Sequence, residues 1–209
     1  MNANEQMQDA LRDAVSSDEA LRERVKLIVM RWVSQRRIDP AALREVTAAA
    51  VDGLGAGFAP RGQAASAALS VAVEGLDEAV SRAVYALQMA TEEAWDGGRQ
   101  FAANDLKPTL DELRGLEGSF VQALRSAADK SQGWLKQEFL NLGEHLVRNG
   151  SDTGRRVGEV TEILGNRLKD ASSGVGQDAL ASAALARSRV IAIASGVLRG
   201  LADALEGKS

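Results

Sequence analysis

Residues Leu69 to Ala94 read LSVAVEGLDEAVSRAVYALQMATEEA. Apolar side chains fall at Leu69, Val73, Leu76, Val80, Ala83, Leu87, Ala90 and Ala94, alternately four and three residues apart. This is a heptad seam. It lines one face of a helix with apolar groups and needs a second surface to cover it. Leu69, Val73, Leu76, Val80 and Leu87 are therefore the candidate partner-binding positions. The later positions are mostly Ala, which buries little area, so the grip weakens towards Trp95 and Gly97-Gly98. The seam reads as a reversible contact more than a permanent zipper, and neighbouring helices, a second copy or a surface would compete for it.

Working outward, the seam helix is expected from about Gln63 to Asp96. Before it, the Gly-rich stretch from Gly53 to Gly62 is the strongest break in the chain. The expected organisation is an N-terminal helical hairpin over 1–52, a linker over 53–62 and a long-helix bundle over 63–209. In the hairpin, residues 1–15 read as a polar tail. Ser16 with Glu19 reads as a capping box opening a helix whose stripe is Leu21, Val25, Ile28, Val29 and Trp32. Asp39-Pro40 starts the next helix, with Asp as N-cap and Pro at the first helical position. Its inner face is Leu43, Val46, Ala50 and Leu54.

After Gly98 the pattern resumes near Arg99, with Pro108 as a restart or kink. Leu106, Leu110, Leu113, Leu116, Phe120 and Leu124 form an inner face. Leu135, Phe139, Leu142 and Leu146 follow, then Val157, Val160, Leu164 and Leu168. Between these two sets, Asn149-Gly150-Ser151-Asp152 either ends a helix or is crossed by one. Gly143, Gly150, Gly154, Gly158 and Gly165 are then either turn glycines or a close-packing face. The final helix, about 178–206, is the most apolar. Val190, Ile191, Ile193, Val197 and Leu198 are its candidate surface-contact residues. Gly196 and Gly200 add a pair that admits close backbone approach. A helix apolar on several faces is either central in a bundle or in contact with lipid.

Composition supports an all-α chain. Of 209 residues, 45% are hydrophobic but only 4% aromatic, and three are Pro. No run alternates with β-branched enrichment. Many of the 20 glycines lie inside helical patterns, and each there costs about 1 kcal/mol relative to Ala. These helices therefore depend on burial. A formal charge of -4 argues against a nucleic-acid binder, which would carry a basic excess. The chain lacks Cys, which removes thiol chemistry and points to a cytoplasmic setting. Its first residues suggest no signal peptide, and no apolar run is long enough to span a bilayer.

Chemistry-bearing patterns are sparse. His145 is the lone histidine, so a di-iron bundle with two Glu-x-x-His pairs is excluded, and no nucleophile elbow accompanies it. Gly53-x-Gly55-x-Gly57 lacks the dinucleotide spacing and a preceding strand. Glu92-Glu93-Asp96 and Asp111-Glu112 read as solvated faces. Trp32, Trp95 and Trp134 sit near helix ends, as packing anchors or interfacial anchors. The first helix carries basic flanks that suit either solvent or an anionic surface. We thus assign no catalytic, metal or cofactor-binding residue, no cofactor, no nucleic acid and no small-molecule substrate.

The Ala-rich amphipathic helices, few aromatics and absence of Cys resemble phasins, the helical coat proteins of bacterial polyester granules, and apolipoprotein-like lipid binders. The stretch Val73 to Ala79, with Glu92-Glu93-Ala94, is similar to uncharacterised helical proteins of proteobacteria. The expected fold is all-α: an elongated or open bundle of five to seven amphipathic helices with coiled-coil-like packing. The expected function is a non-enzymatic scaffold or interaction protein that self-associates. The alternative is a coat on a lipid or polyester surface.

Overall fold

The computed structural model describes residues 3–35, 39–96 and 103–172. The candidate surface-contact residues Val190, Ile191, Ile193, Val197 and Leu198 lie outside the described residues, as does the Gly97-Gly98 break. The described chain is a helical bundle. Its helices are α1 (Ala3–Ala14), α2 (Leu21–Ser34), α3 (Pro40–Phe58), α4 (Ser66–Asp96), α5 (Ala103–Arg114), α6 (Leu116–Lys130), α7 (Gly133–Asn149) and α8 (Asp152–Ser172). A short 3-10 turn, Gln63–Ala65, leads into α4. There is no strand among the described residues.

Several starts and stops follow the local chemistry. Asp39 caps α3 by accepting a hydrogen bond from the Ala42 amide at 2.8 Å, and Pro40 takes the first turn. Asn149 ends α7, and Gly150 then turns the chain with φ 76°, a conformation that costs only glycine little. The segment 133–172 is thus two helices. Pro108 lies within α5, and the restart falls instead at Gly115, where α5 gives way to α6.

Three local expectations are corrected. Residues 3–14 form α1 rather than a polar tail, because Met7, Leu11 and Val15, spaced four apart, are buried against α3. The Ser16–Glu19 capping box does not form. Helix α2 begins at Leu21 after Ala20 in the left-handed region, and the Arg24 guanidinium ties the turn by donating to the carbonyls of Ala14 and Ser17. Gly53 to Phe58 are not linker but the last turns of α3. A Cβ at Gly53 would sit 2.8 Å from the Gln8 backbone, and one at Gly57 would strike Val15. These glycines are where α1 lies directly on α3. The break itself is shorter, from Ala59 to Gly62.

One cluster of buried apolar residues runs from Met7 through Leu164 and includes residues of α1 to α8. Helix α2 packs along α4, and α8 along another side of it. Helix α1 packs on α3, and α3 on α6, which pairs with α7. Helix α4 is the hub. From Val71 to Thr91, only Val71, Glu74, Glu78, Arg82, Tyr85 and Met89 escape burial, and they form a single outward stripe.

Candidate functional site

The five seam residues are all covered within the chain. Leu69, Val73, Leu76, Val80 and Leu87 are each at most 4% exposed, and Ala83 and Ala90 are buried with them. Each buried Leu or Val adds about 1.5–3 kcal/mol. The seam read as a request for a partner is thus answered internally in this state. On its α2 side the contact is very close. A Cβ at Gly75 would lie 3.1 Å from the Arg22 carbonyl carbon and closer still to its oxygen. Around that contact Lys26, 4% exposed, bridges Glu23 at 2.6 Å and Glu78 at 3.2 Å. Arg82 donates to Glu78 at 2.8 Å, and Arg22 pairs with it at 3.3 Å. Burial pushes the Glu78 carboxyl up, but hydrogen bonds from Arg82 and Lys26 outweigh it and hold the group below its ordinary 4.5.

The next residue back behaves oppositely. Asp77 is buried on the α8 side, where its carboxylate accepts from the Asp152 amide at 2.7 Å and the Thr153 amide at 3.0 Å. Thr153 Oγ1 returns a bond to the Asp77 carbonyl at 3.2 Å. The first amides of a helix have no partner within it, and the helix end carries partial positive charge. Asp77 therefore caps α8 from another helix. Burial is the largest influence on its pKa and raises it above 3.8, against the lowering effect of the Thr153 and Asp152 bonds. Ser151 caps the same end locally through its Oγ, which accepts from the Gly154 amide at 2.8 Å. Glu117 of α6 accepts from the Ser151 amide at 3.2 Å and packs over Gly154. Two carboxylates from two helices thus hold the start of α8.

Asp77 continues as a second strip on α4: Asp77, Ser81, Val84, Gln88 and Thr91, again spaced four and three, all buried. It lies one residue, about 100°, round from the apolar seam. Asp77 is paired with α8, whereas Gln88 and Thr91 find partners on α4 itself. Thr91 Oγ1 donates to the Leu87 carbonyl at 2.7 Å, and Gln88 Nε2 to Glu92 at 3.1 Å.

A cleft of about 240 Å³ lies beside the cap, lined by Glu74, Asp77, Asp152, His145, Val73 and Leu146 among others. His145 is exposed. Among the described residues no group of three or more His, Asp or Glu side chains is placed to hold a metal ion. No described helix is long and apolar enough to cross a membrane. Trp32 and Trp134 pack partly buried against the core, while the Trp95 side chain lies outside the described residues.

Asp77, Glu117 and Thr153 were not singled out by sequence reasoning. Asp77 sits between two seam positions and reads there as a solvated charge. The one local signal was Ser151-Asp152-Thr153 after Gly150, a helix start whose carboxylate partners are remote. No curated protein and no solved structure matches the chain. A family model matches residues 1–207, nearly the whole chain, and the protein belongs to that family, described as a family of unknown function, DUF6781.

Proposed function

We propose that this protein is a non-enzymatic helical scaffold that works in the cytoplasm through Ala/Leu/Val seams and self-associates. The observation that supports it is α4. Helices close on several of its sides, through small apolar residues and Gly75. A helix that accepts such close neighbours within the chain has the surface chemistry to accept one from a second copy. Sedimentation equilibrium tests this: a concentration-dependent rise in mass is expected, and a monomer at high concentration overturns it. Val80, 1% exposed, supplies the companion test. Val80→Asp buries a charge, at a cost of about 4 kcal/mol or more, and should abolish cooperative melting of the helical signal. Unchanged melting would remove the seam from the core and the reading with it.

A second reading, an amphipathic coat on a lipid or polyester surface in the manner of phasins, draws on Tyr85 and Met89. These large side chains are 39% exposed on successive turns of α4. Flotation with anionic liposomes or polyester granules, paired with circular dichroism, separates the two. Failure to partition with either surface removes the coat.

A further inference from the structure

We infer that α8 is a detachable cover over the polar strip of α4, latched at its N-terminal end by Asp77 and Glu117. Four observations carry this. The first is how little apolar surface anchors α8. It is 21 residues long, yet among its described side chains the buried apolar ones are Val157, Val160 and Leu164, with Leu168 half-buried against the core. Helix α2, at 14 residues, buries Leu21, Val25, Val29, Met30 and Val33. Elements with few buried apolar groups open at lower free energy than the rest of a structure.

The second observation is the surface beneath. From the Asp77 contact, α8 runs in the same direction as α4, since Asp77 meets Thr153 and Tyr85 meets Arg156 further along both helices. The α4 face that continues from Asp77 is Ser81, Val84, Gln88 and Thr91. Because Gln88 and Thr91 find their hydrogen-bond partners on α4 itself, uncovering them strands no donor. The apolar seam lies on the neighbouring face, so lifting α8 also brings the edges of Val80 and Leu87 towards solvent.

The third is the weakness of α8 as a helix. Gly158 and Gly165 interrupt it, and a Cβ at either would meet nothing within 4 Å. No packing demand accounts for them, and each lowers helix stability. The fourth is the attachment. Gly150, exposed and at φ 76°, is the joint between α7 and α8, so α8 can swing without disturbing α7. The latch is polar: the carboxylates of Asp77 and Glu117 hold the amides of Ser151, Asp152 and Thr153. Water can replace such bonds when the helix lifts, whereas nothing replaces a lost apolar contact. The role given to the uncovered face, a docking strip for a second copy, rests on the scaffold reading; the opening of α8 does not.

The chain contains no Cys, so a single introduced thiol reports opening by its rate of reaction with a thiol reagent. Val160 of α8 and Val29 of α2 are both fully buried. In the full-length chain, Val160→Cys should react about tenfold faster than Val29→Cys, because it is exposed by local opening. Adding Asp77→Ala should speed Val160→Cys about tenfold further, the factor expected for lost charge-assisted bonds, and leave Val29→Cys unchanged. If Asp77→Ala fails to fold, Asp77→Asn, which keeps one acceptor, should give a smaller shift in the same direction. Equal rates at the two thiols, or equal acceleration of both, overturns the proposal. Sedimentation of the same variants reads the scaffold separately. Fast Val160→Cys labelling in a strict monomer keeps the cover and discards its docking role.

Discussion

Two strips run side by side along α4 and hold different neighbours by different means. The apolar seam, Leu69 to Ala90, is buried and close-packed, with α2 laid against the hub at Gly75. The polar strip, Asp77 to Thr91, is also buried but offers carboxylate, hydroxyl and amide groups. Asp77 and Glu78 are consecutive, yet burial raises the first carboxyl, while at the second the bonds from Arg82 and Lys26 together outweigh burial and lower it. The contrast teaches that burial alone does not mark a permanent contact. A strip whose lost bonds water can replace is held on other terms from one that loses apolar area.

After Val80→Asp, the largest expected effect also breaks the apolar side. Gly75→Ala places a Cβ against the Arg22 backbone, which has no flexible side chain to give way. Forcing α2 off its seat should cost about 3 kcal/mol, read as a lowered denaturation midpoint. Ser81→Ala, on the polar strip, should stay within about 1 kcal/mol of the parent. Equal losses at the two positions would erase the distinction between the strips.

A smaller effect separates the two carboxyls by pH. Asp77 has a folded pKa above its unfolded value of 3.8. Its contribution is fully present below that value and is lost as pH rises through the folded pKa. Glu78 has a folded pKa below 4.5, so its contribution is present above that value and is lost as pH falls through the folded pKa. The stability gap between parent and Asp77→Asn should therefore narrow as pH rises from about 4 to 7, whereas that between parent and Glu78→Gln should narrow as pH falls below about 4.5. Melting temperatures across this range check both. Gaps that move together would mean the two groups share one environment.

These strips also divide what was legible in the chain. The apolar seam could be read because apolar spacing reports a helix face directly, and Asp39-Pro40 because a cap and its helix are adjacent. Gly53 and Gly57 misled, since glycine in a sequence reads as a break. Here both are contact points that let α1 touch α3, and only the partner's position reveals that. The cap on α8 was illegible for a related reason. Asp77 and Thr153 are 76 residues apart, and neither position carries a pattern naming the other. Similarly, the seam could be identified as a face needing cover, but the helices that supply the cover are named only by the packing.

The smallest effect sharpens the polar side. At Gly158 an added methyl meets open space, so Gly158→Ala changes helix propensity with no packing cost. It should stabilise α8 by about 1 kcal/mol. Where that gain shows is the point of the experiment. If α8 opens ahead of the rest of the bundle, the substitution slows thiol labelling at Val160→Cys about fivefold while leaving that at Val29→Cys nearly unchanged. If α8 unfolds only with the whole chain, both thiols slow equally, because the stabilised helix is then part of a single cooperative unit. A residue with no contacts thus distinguishes a cover from a core helix, since its effect on opening contains no contribution from the interface itself.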